Sequence, residues 1–432
     1  ILSDLFPGWE VPAPDYTELI EGIKAECAAA RLVPTDFFLA KCIQIYEVSV
    51  LRHGFMTVGP SGGAKSSAKD MLIRAMAKLD ATTNGEKGTV GPAGKYTRTR
   101  QWILNPKAVT MGQLYGQFDE NTHEWTDGII CILYRAAVNE FAQHNVTDKQ
   151  WLVFDGPVDA LWIESMNTVL DDNKKLCLVS GEIISMSPYM TMVFEVEDLA
   201  VASPATVSRV GTLFMEPERV VGIGPQIESW LMGLPIPISN HRERLGELLN
   251  ALLPHAVAFV RKSCKEYVSS VDNNLVASTL NVPQQFWRHY VPVDGKYEVP
   301  DELADALPRS VEKHVVFALV WGAGASTDTA SRRRYDQHLR AALAATGVAE
   351  AAELPAEGLL SDYALNLEEA SWVGWLSTAP EYRLSPKTPF EDIIVPTVDT
   401  VRYTYVIEQL VTHGFHVLAV GPTGTGKTLN VG

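Results

Sequence analysis

The chain is short of cysteine, of positive charge and of long apolar runs, and each shortage excludes a class of function. Its five cysteines, Cys27, Cys42, Cys131, Cys177 and Cys264, are scattered over 432 residues. Their number is odd and none stands in a Cys-x-x-Cys pair, so no zinc site is visible and a reducing compartment is expected. Lysine and arginine total 36 against 52 acidic residues, a net charge of −16. That balance argues against nucleic acid or an anionic membrane as the main partner. It leaves phosphate binding open, because a phosphate site is local. The longest apolar run, residues 315–325, contains Gly322 and Gly324 and is about half of what a bilayer span needs. No signal peptide is visible, the sequence begins at Ile1 rather than Met, and it stops at Gly432. These features predict a piece of something larger. At 46% hydrophobic and 20% charged residues, the composition is that of an ordinary globular protein, with room for roughly two to four domains.

What is present is organised around two stretches. Apolar residues 151–154 run into Asp155, the pattern of a buried parallel strand ending on a carboxylate where a nucleotide-bound Mg²⁺ would sit, the Walker B arrangement. Upstream, Gly59, Pro60, Ser61, Gly62, Gly63, Ala64, Lys65 and Ser66 follow the apolar residues 55–58. In such a loop backbone N–H groups wrap phosphates, Lys65 reaches the terminal phosphates and the Ser66 hydroxyl goes to Mg²⁺. Two positions depart from the pattern. Ala64 stands where glycine is wanted, at a bend that disfavours a Cβ. Gly156 stands where a hydrolysing ring module carries Glu, and without a carboxylate nothing there orients the attacking water. The pattern predicts a site that holds ATP without spending it.

A second loop, Gly421, Pro422, Thr423, Gly424, Thr425, Gly426, Lys427 and Thr428, fits the phosphate-loop pattern fully after the apolar residues 417–420. Thr428 is its Mg²⁺ residue. His413, Gly414 and Phe415 before it mirror His53, Gly54 and Phe55 before the first, so the chain contains an internal repeat. The fold class read from this order is α/β. An AAA+ P-loop module, with a parallel sheet flanked by helices, occupies residues 1–221. A helical small or lid domain and linker occupy 222–385, and a further α/β P-loop module starts at 386–432. In more detail, helices are expected over residues 16–31, 36–53, 66–79, 129–144 and 162–170, and a hairpin turning at Ser180 and Gly181. Residues 191–196 read as a core strand, 393–396 as a strand leading into the second module, and 81–101 as a glycine-rich surface loop or hairpin. In the lid, residues 265–308 read as irregular, 311–321 and 332–343 as helices, and 349–358 as a linker. The proline-bearing residues 1–35 read either as a strap against an adenine or as a plain inter-domain connection.

Each chemical assignment has a bland competitor. Asp155 could cap a helix. Asp159 reads as structural, since Pro157 re-aims the chain between it and Asp155. Arg209, ahead of a core strand, reads as an arginine finger projecting onto a neighbouring module's γ-phosphate, or as an ion-paired surface residue. Arg332, Arg333 and Arg334 are a solvated helix face or include a phosphate sensor. Glu195 and Glu197 stand where a polar sensor would follow a core strand, yet a carboxylate there is ill suited to phosphate. Residues 91–95 echo a phosphate loop without its spacing.

Together these residues resemble those of dynein heavy chains. The resemblance lies in residues 155–164 with 169–174, in 105–107 with 112–116, and in 123–128, 194–199, 203–209 and 395–403. By order, residues 1–385 are similar to the second ring module and 386–432 to the start of the third, with axonemal rather than cytoplasmic choices at residues 156–157 and 160–161. The resemblance implies a six-module ATP-driven motor ring that walks on microtubules, set in the axoneme of a cilium or flagellum, with its coiled-coil stalk outside this chain. It implies ATP and Mg²⁺ as cofactors. It implies as partners the neighbouring modules and linker of the same chain, the microtubule, and intermediate and light chains, with no nucleic acid and no membrane. It further implies that the second module keeps its ATP, that Arg209 serves the first module's site, and that the segment around residues 105–127 and the hairpin at Ser180 touch the moving linker. The competing readings are a nucleotide-free scaffold module, supported by Ala64, and a stand-alone hydrolase, which lacks a catalytic carboxylate.

Overall fold

The computed structural model describes residues 14–80, 89–291, 299–379, 395 and 397–430. The chain forms two compact units, Ile1–Gly222 and Ile223–Gly432. Much of the proline-bearing start and nearly all of the expected strand at 393–396 fall outside the described residues.

The first unit is built on five parallel strands: β1 (Gly54–Val58), β2 (Thr99–Leu104), β3 (Lys149–Asp155), β4 (Met190–Val196) and β5 (Gly211–Phe214). Their order across the sheet is β5-β1-β4-β3-β2. The three central strands read as near-continuous apolar runs because helices cover both faces. Side chains alternate: Trp151 and Val153 enter one core with Phe55 and Val193, while Leu152 and Phe154 enter the other with Met56, Met192 and Phe194. The first core is closed by α1 (Thr17–Ala29), α2 (Asp36–Leu51) and α3 (Lys65–Leu79), which contribute Leu19, Ile23, Cys42, Ile45, Leu72 and Met76. The second is closed by α4 (Ile129–Ala142) through Ile130, Cys131 and Tyr134.

The edge strand β2 lies partly inside the stretch read as a surface loop. Residues 81–88 of that stretch lie outside the described residues, and the hairpin of Val90–Gly91 with Gly94–Lys95 and the turns around it match the expectation up to the start of β2. Thr99, Arg100 and Gln101 hide a strand because an edge faces water and carries no apolar alternation at that end. A second hairpin, Gly116–Phe118 with Trp125–Asp127, and a third, Lys175–Cys177 with Ile183–Ser185, project from the module. Both are tied to α4: Arg135 pairs with Asp127 and with Glu182, each at 2.8 Å.

The second unit is helical around one large core that includes Leu249, Val257, Val276, Phe317, Trp321 and Trp375. Here the sequence expectations miss in three places. The stretch read as irregular contains the helix Asp272–Asn281 and the first eight residues of the helix Asp301–Ala318, the latter with Pro308 inside it. The proline punctuation misled because Pro308 is accommodated in the helix. The expected linker, 349–358, begins inside the short helix Val348–Ala351, and Val348 and Ala352 are fully buried. Further on, the helix Val398–Thr412 packs on the same core through Val406 and through Tyr405 against Trp375. Residues 417–420 do not form the strand that their apolar run predicts. No described strand lies beside them to pair their backbone, and Leu418 is 86% exposed. Among the described residues no helix is long and apolar enough to cross a membrane.

Candidate nucleotide site

The site gathers at the C-terminal ends of β1, β3 and β4, the side of an open parallel sheet where ligands are usually held. Register brings Glu195 of β4 opposite Asp155 of β3 on one side and Thr57 of β1 on the other. The chain leaves β1 through Gly59, whose backbone passes so close to Met215 that a Cβ would lie 2.4 Å from its carbonyl oxygen. It then turns through Pro60 to Gly63 and enters α3.

Ala64 takes the left-handed conformation (φ 59°, ψ 27°). This is the conformation for which glycine is the default, and an alanine there costs roughly 1–2 kcal/mol. The loop therefore bends as a phosphate loop does despite the methyl. Ala64 supplies no side-chain cap to α3, so the dipole end of a 15-residue helix faces the loop without an internal acceptor. Lys65 folds back over the loop, donating to the Gly59 carbonyl and, at 3.0 Å, to that of Pro60. Burial pushes the Lys65 ammonium down, while Glu195, Glu197 and Asp155 pull it back up. Asp155 ends β3 with an exposed side chain.

Ser66 does not wait with a free hydroxyl. It donates to Glu195 Oε2, and Glu195 Oε1 lies 2.7 Å from Lys69 Nζ. Both members of that ion pair are almost wholly buried, with side chains 2% and 4% exposed. Sequence reasoning named Glu195 only as an ill-suited sensor and passed over Lys69. The available signal was a lone carboxylate inside the apolar strand 190–196, which must find a buried partner, and a lysine one turn along α3 from Lys65.

Gly156 lies against the turn at Asn105: a Cβ would sit 2.8 Å from Asn105 Oδ1 and 3.4 Å from its Cγ. Asn105 is held there because its Oδ1 accepts from the Lys107 N–H at 2.9 Å. Asp159 caps the short helix Ala160–Glu164 through the Leu161 N–H, 2.8 Å away. It also pairs with Lys107, which holds its carboxyl below the usual range. Arg209 ends α5 (Pro204–Arg209), where it pairs with Asp171 and donates to the Ala205 carbonyl at 2.9 Å.

In the second unit Lys427 repeats the geometry of Lys65, donating at 2.6 Å to both Gly421 and Pro422 carbonyls. Gly424 and Gly426 take φ of 83° and 74°, and Thr425 donates to Pro422 O at 2.8 Å. Thr423 is exposed, and Thr428 starts a short 3₁₀ turn. Of the three arginines, Arg332 donates to the Tyr403 hydroxyl and Arg334 to Ser331, both at 3.0 Å.

The residues suit a magnesium-complexed nucleotide. Glycine-lined backbone, an uncapped helix start and a lysine poised over the loop fit phosphates, and the hydroxyl of Ser66 with the carboxylate of Asp155 are the hard oxygen donors that Mg²⁺ prefers.

Three family models match the chain. The P-loop containing dynein motor region matches residues 382–432, and the dynein heavy chain AAA lid domain matches residues 245–377. The hydrolytic ATP binding site of dynein motor region matches residues 1–66, a stretch that ends before Asp155 and Gly156. Over its whole length the chain is 43% identical to mouse dynein axonemal heavy chain 1, 42% to its human counterpart and 41% to mouse dynein axonemal heavy chain 12. It spans 10% of the first two and 14% of the third. Agreement of three motor-region models with relatives of one kind over the full chain leaves a single assignment: the chain belongs to the dynein heavy chain family, as part of its AAA+ motor region.

Proposed function

We propose that this chain is part of the ATP-driven, microtubule-walking ring of an axonemal dynein heavy chain, and that its Lys65 module binds ATP with Mg²⁺ without hydrolysing it. Residues 1–221 and 222–385 would be the large and lid domains of the second ring module, and 386–432 the start of the third. The observation that carries the non-hydrolytic reading is Gly156. That position has no carboxylate to polarise a water, and the Asn105 turn occupies the space a side chain would need. The retained ATP then acts as a staple that stabilises the module by mass action.

Arg209 is the proposed arginine finger for the preceding module's ATP, with Asp171 holding its guanidinium until that neighbour engages it. The hairpins joined by Arg135 are the proposed contacts with the linker. Microtubule, intermediate chains and light chains belong to the parent protein in the axoneme, in keeping with the names of its relatives.

One observation favours a second reading, a nucleotide-free scaffold: the Ser66 hydroxyl is given to Glu195. Counting nucleotide released on denaturing the intact heavy chain separates the two. Wild type should exceed Lys65→Ala by one ATP per chain, with none of it converted to ADP over many motor cycles. Equal counts would establish the scaffold. ADP in place of ATP would refute the role given to Gly156. Gly156→Glu is expected to add no turnover at this site, because the new side chain must first displace Asn105.

A further inference from the structure

Glu195 has no place in the reading above, yet it touches the residue on which Mg²⁺ binding depends. Its carboxylate stands between Ser66 Oγ, which donates to Oε2, and Lys69 Nζ, 2.7 Å from Oε1. It is 3% exposed, and strand register sets it directly beside Asp155. Lys65 lies within the field of Glu195, Glu197 and Asp155 together. Among these side chains two lysines stand against three carboxylates, an acidic balance beside the helix start. A free triphosphate, itself a polyanion, is repelled by such a balance. A triphosphate that arrives with a divalent cation brings the missing positive charge, and the cation can take the Ser66 oxygen lone pairs that the bond to Glu195 leaves free.

We propose that Glu195 is the cation-selecting residue of this nucleotide site: it takes the Ser66 proton and so leaves the Ser66 oxygen lone pairs to a divalent cation, while its charge disfavours a triphosphate that arrives without one, so that the loop accepts a cation-complexed triphosphate and rejects a free one. Lys69 is its positioning residue. The buried ammonium fixes the carboxylate at the mouth of α3. In the scaffold reading the same contact would serve structure alone, so the inference rests on nucleotide binding at Lys65.

The test measures ATP retained by the intact heavy chain after removal of free ligand, in Mg²⁺ and in EDTA. The Lys65→Ala chain is subtracted to isolate this site. Wild type should hold ATP in Mg²⁺ and lose it in EDTA. Glu195→Gln keeps the shape and a hydrogen-bond acceptor for Ser66 but removes the charge, and should raise EDTA-resistant ATP by about tenfold. Lys69→Met, which leaves the carboxylate uncompensated, should lower retention in Mg²⁺. Should either single change prevent folding, the double variant Glu195→Gln with Lys69→Met replaces a buried ion pair by neutral groups, a change proteins often tolerate. It should shift EDTA-resistant ATP upward by a few-fold, since the carboxylate lies nearer Ser66 than the ammonium does.

Opposite shifts from the two halves of one pair would exclude a purely structural role, which predicts equal losses from both. Equal losses, or EDTA-resistant ATP that neither Glu195→Gln nor the double variant raises, would overturn the proposal. If Lys65→Ala itself changes nothing in Mg²⁺, it is the nucleotide-binding reading that fails.

Discussion

The two phosphate loops of this chain share one local geometry in two different settings. In both, the lysine closes back onto the carbonyls of the first two loop residues, Gly59 and Pro60 in one and Gly421 and Pro422 in the other. In both, the residue before the lysine is left-handed, Ala64 at φ 59° and Gly426 at φ 74°. The first loop hangs from a five-stranded sheet and is pressed against Met215. The second follows an unpaired backbone, and most of its residues are exposed. Loop shape is thus a property of the eight residues. How tightly the loop is enforced is a property of the strands around it.

The sharpest way to break this comparison is the same substitution in both loops. Gly59→Ala drives a Cβ to 2.4 Å from a backbone oxygen, whereas in Gly421→Ala the nearest atom is the movable Thr425 hydroxyl at 2.8 Å. Gly59→Ala should destabilise its unit by about 3 kcal/mol in denaturant melts, and Gly421→Ala by a small fraction of that. Equal effects would show that the sheet does not enforce the first loop.

A smaller perturbation, pH, addresses the unit that carries the second loop. His314 is buried there, stacked on Phe286, and accepts a hydrogen bond from the Trp287 N–H at 3.1 Å. Burial lowers its pKa from 6.5 to about 3. Between these values the unfolded chain takes up a proton that the folded chain refuses, so stability falls as pH falls from 6.5 toward 3. The expected loss is about 1 kcal/mol per pH unit. Melts of His314→Phe should lack that slope, at the cost of lower stability at neutral pH from the unpaired Trp287 N–H.

The smallest effect concerns the left-handed residue. Ala64→Gly should stabilise the first loop by about 1 kcal/mol, and Gly426→Ala should cost the second a similar amount. Thermal melts report both signs. A destabilising Ala64→Gly would mean that the methyl packs favourably enough to outweigh its backbone strain.

Much of the site was legible because its signals are contiguous. The residues from Gly59 to Ser66 and from Gly421 to Thr428 each carry a complete turn-and-helix instruction, and Asp155 closes an unmistakable apolar strand. Three features resisted reading. The edge strand Thr99–Leu104 is polar over its first three residues, so its start merges with the loop before it. Residues 417–420 have strand composition but no neighbour to pair with. Glu195 was read as following a core strand and instead lies within β4, and its partners Ser66 and Lys69 lie more than a hundred residues away in the chain.

The sequence by itself determined the phosphate loops, the acid after the core strand, the missing carboxylate at Gly156 and the alternation of sheet and lid. These are encoded in residue type and short-range periodicity, which local sterics and hydrogen bonding turn directly into shape. Tertiary structure alone decided that Glu195 meets Ser66 and Lys69, that Asn105 fills the space beside Gly156 and that Asp171 holds Arg209. Each of those contacts follows from strand register and helix packing, which juxtapose residues remote in the chain and are set by burial of the whole core.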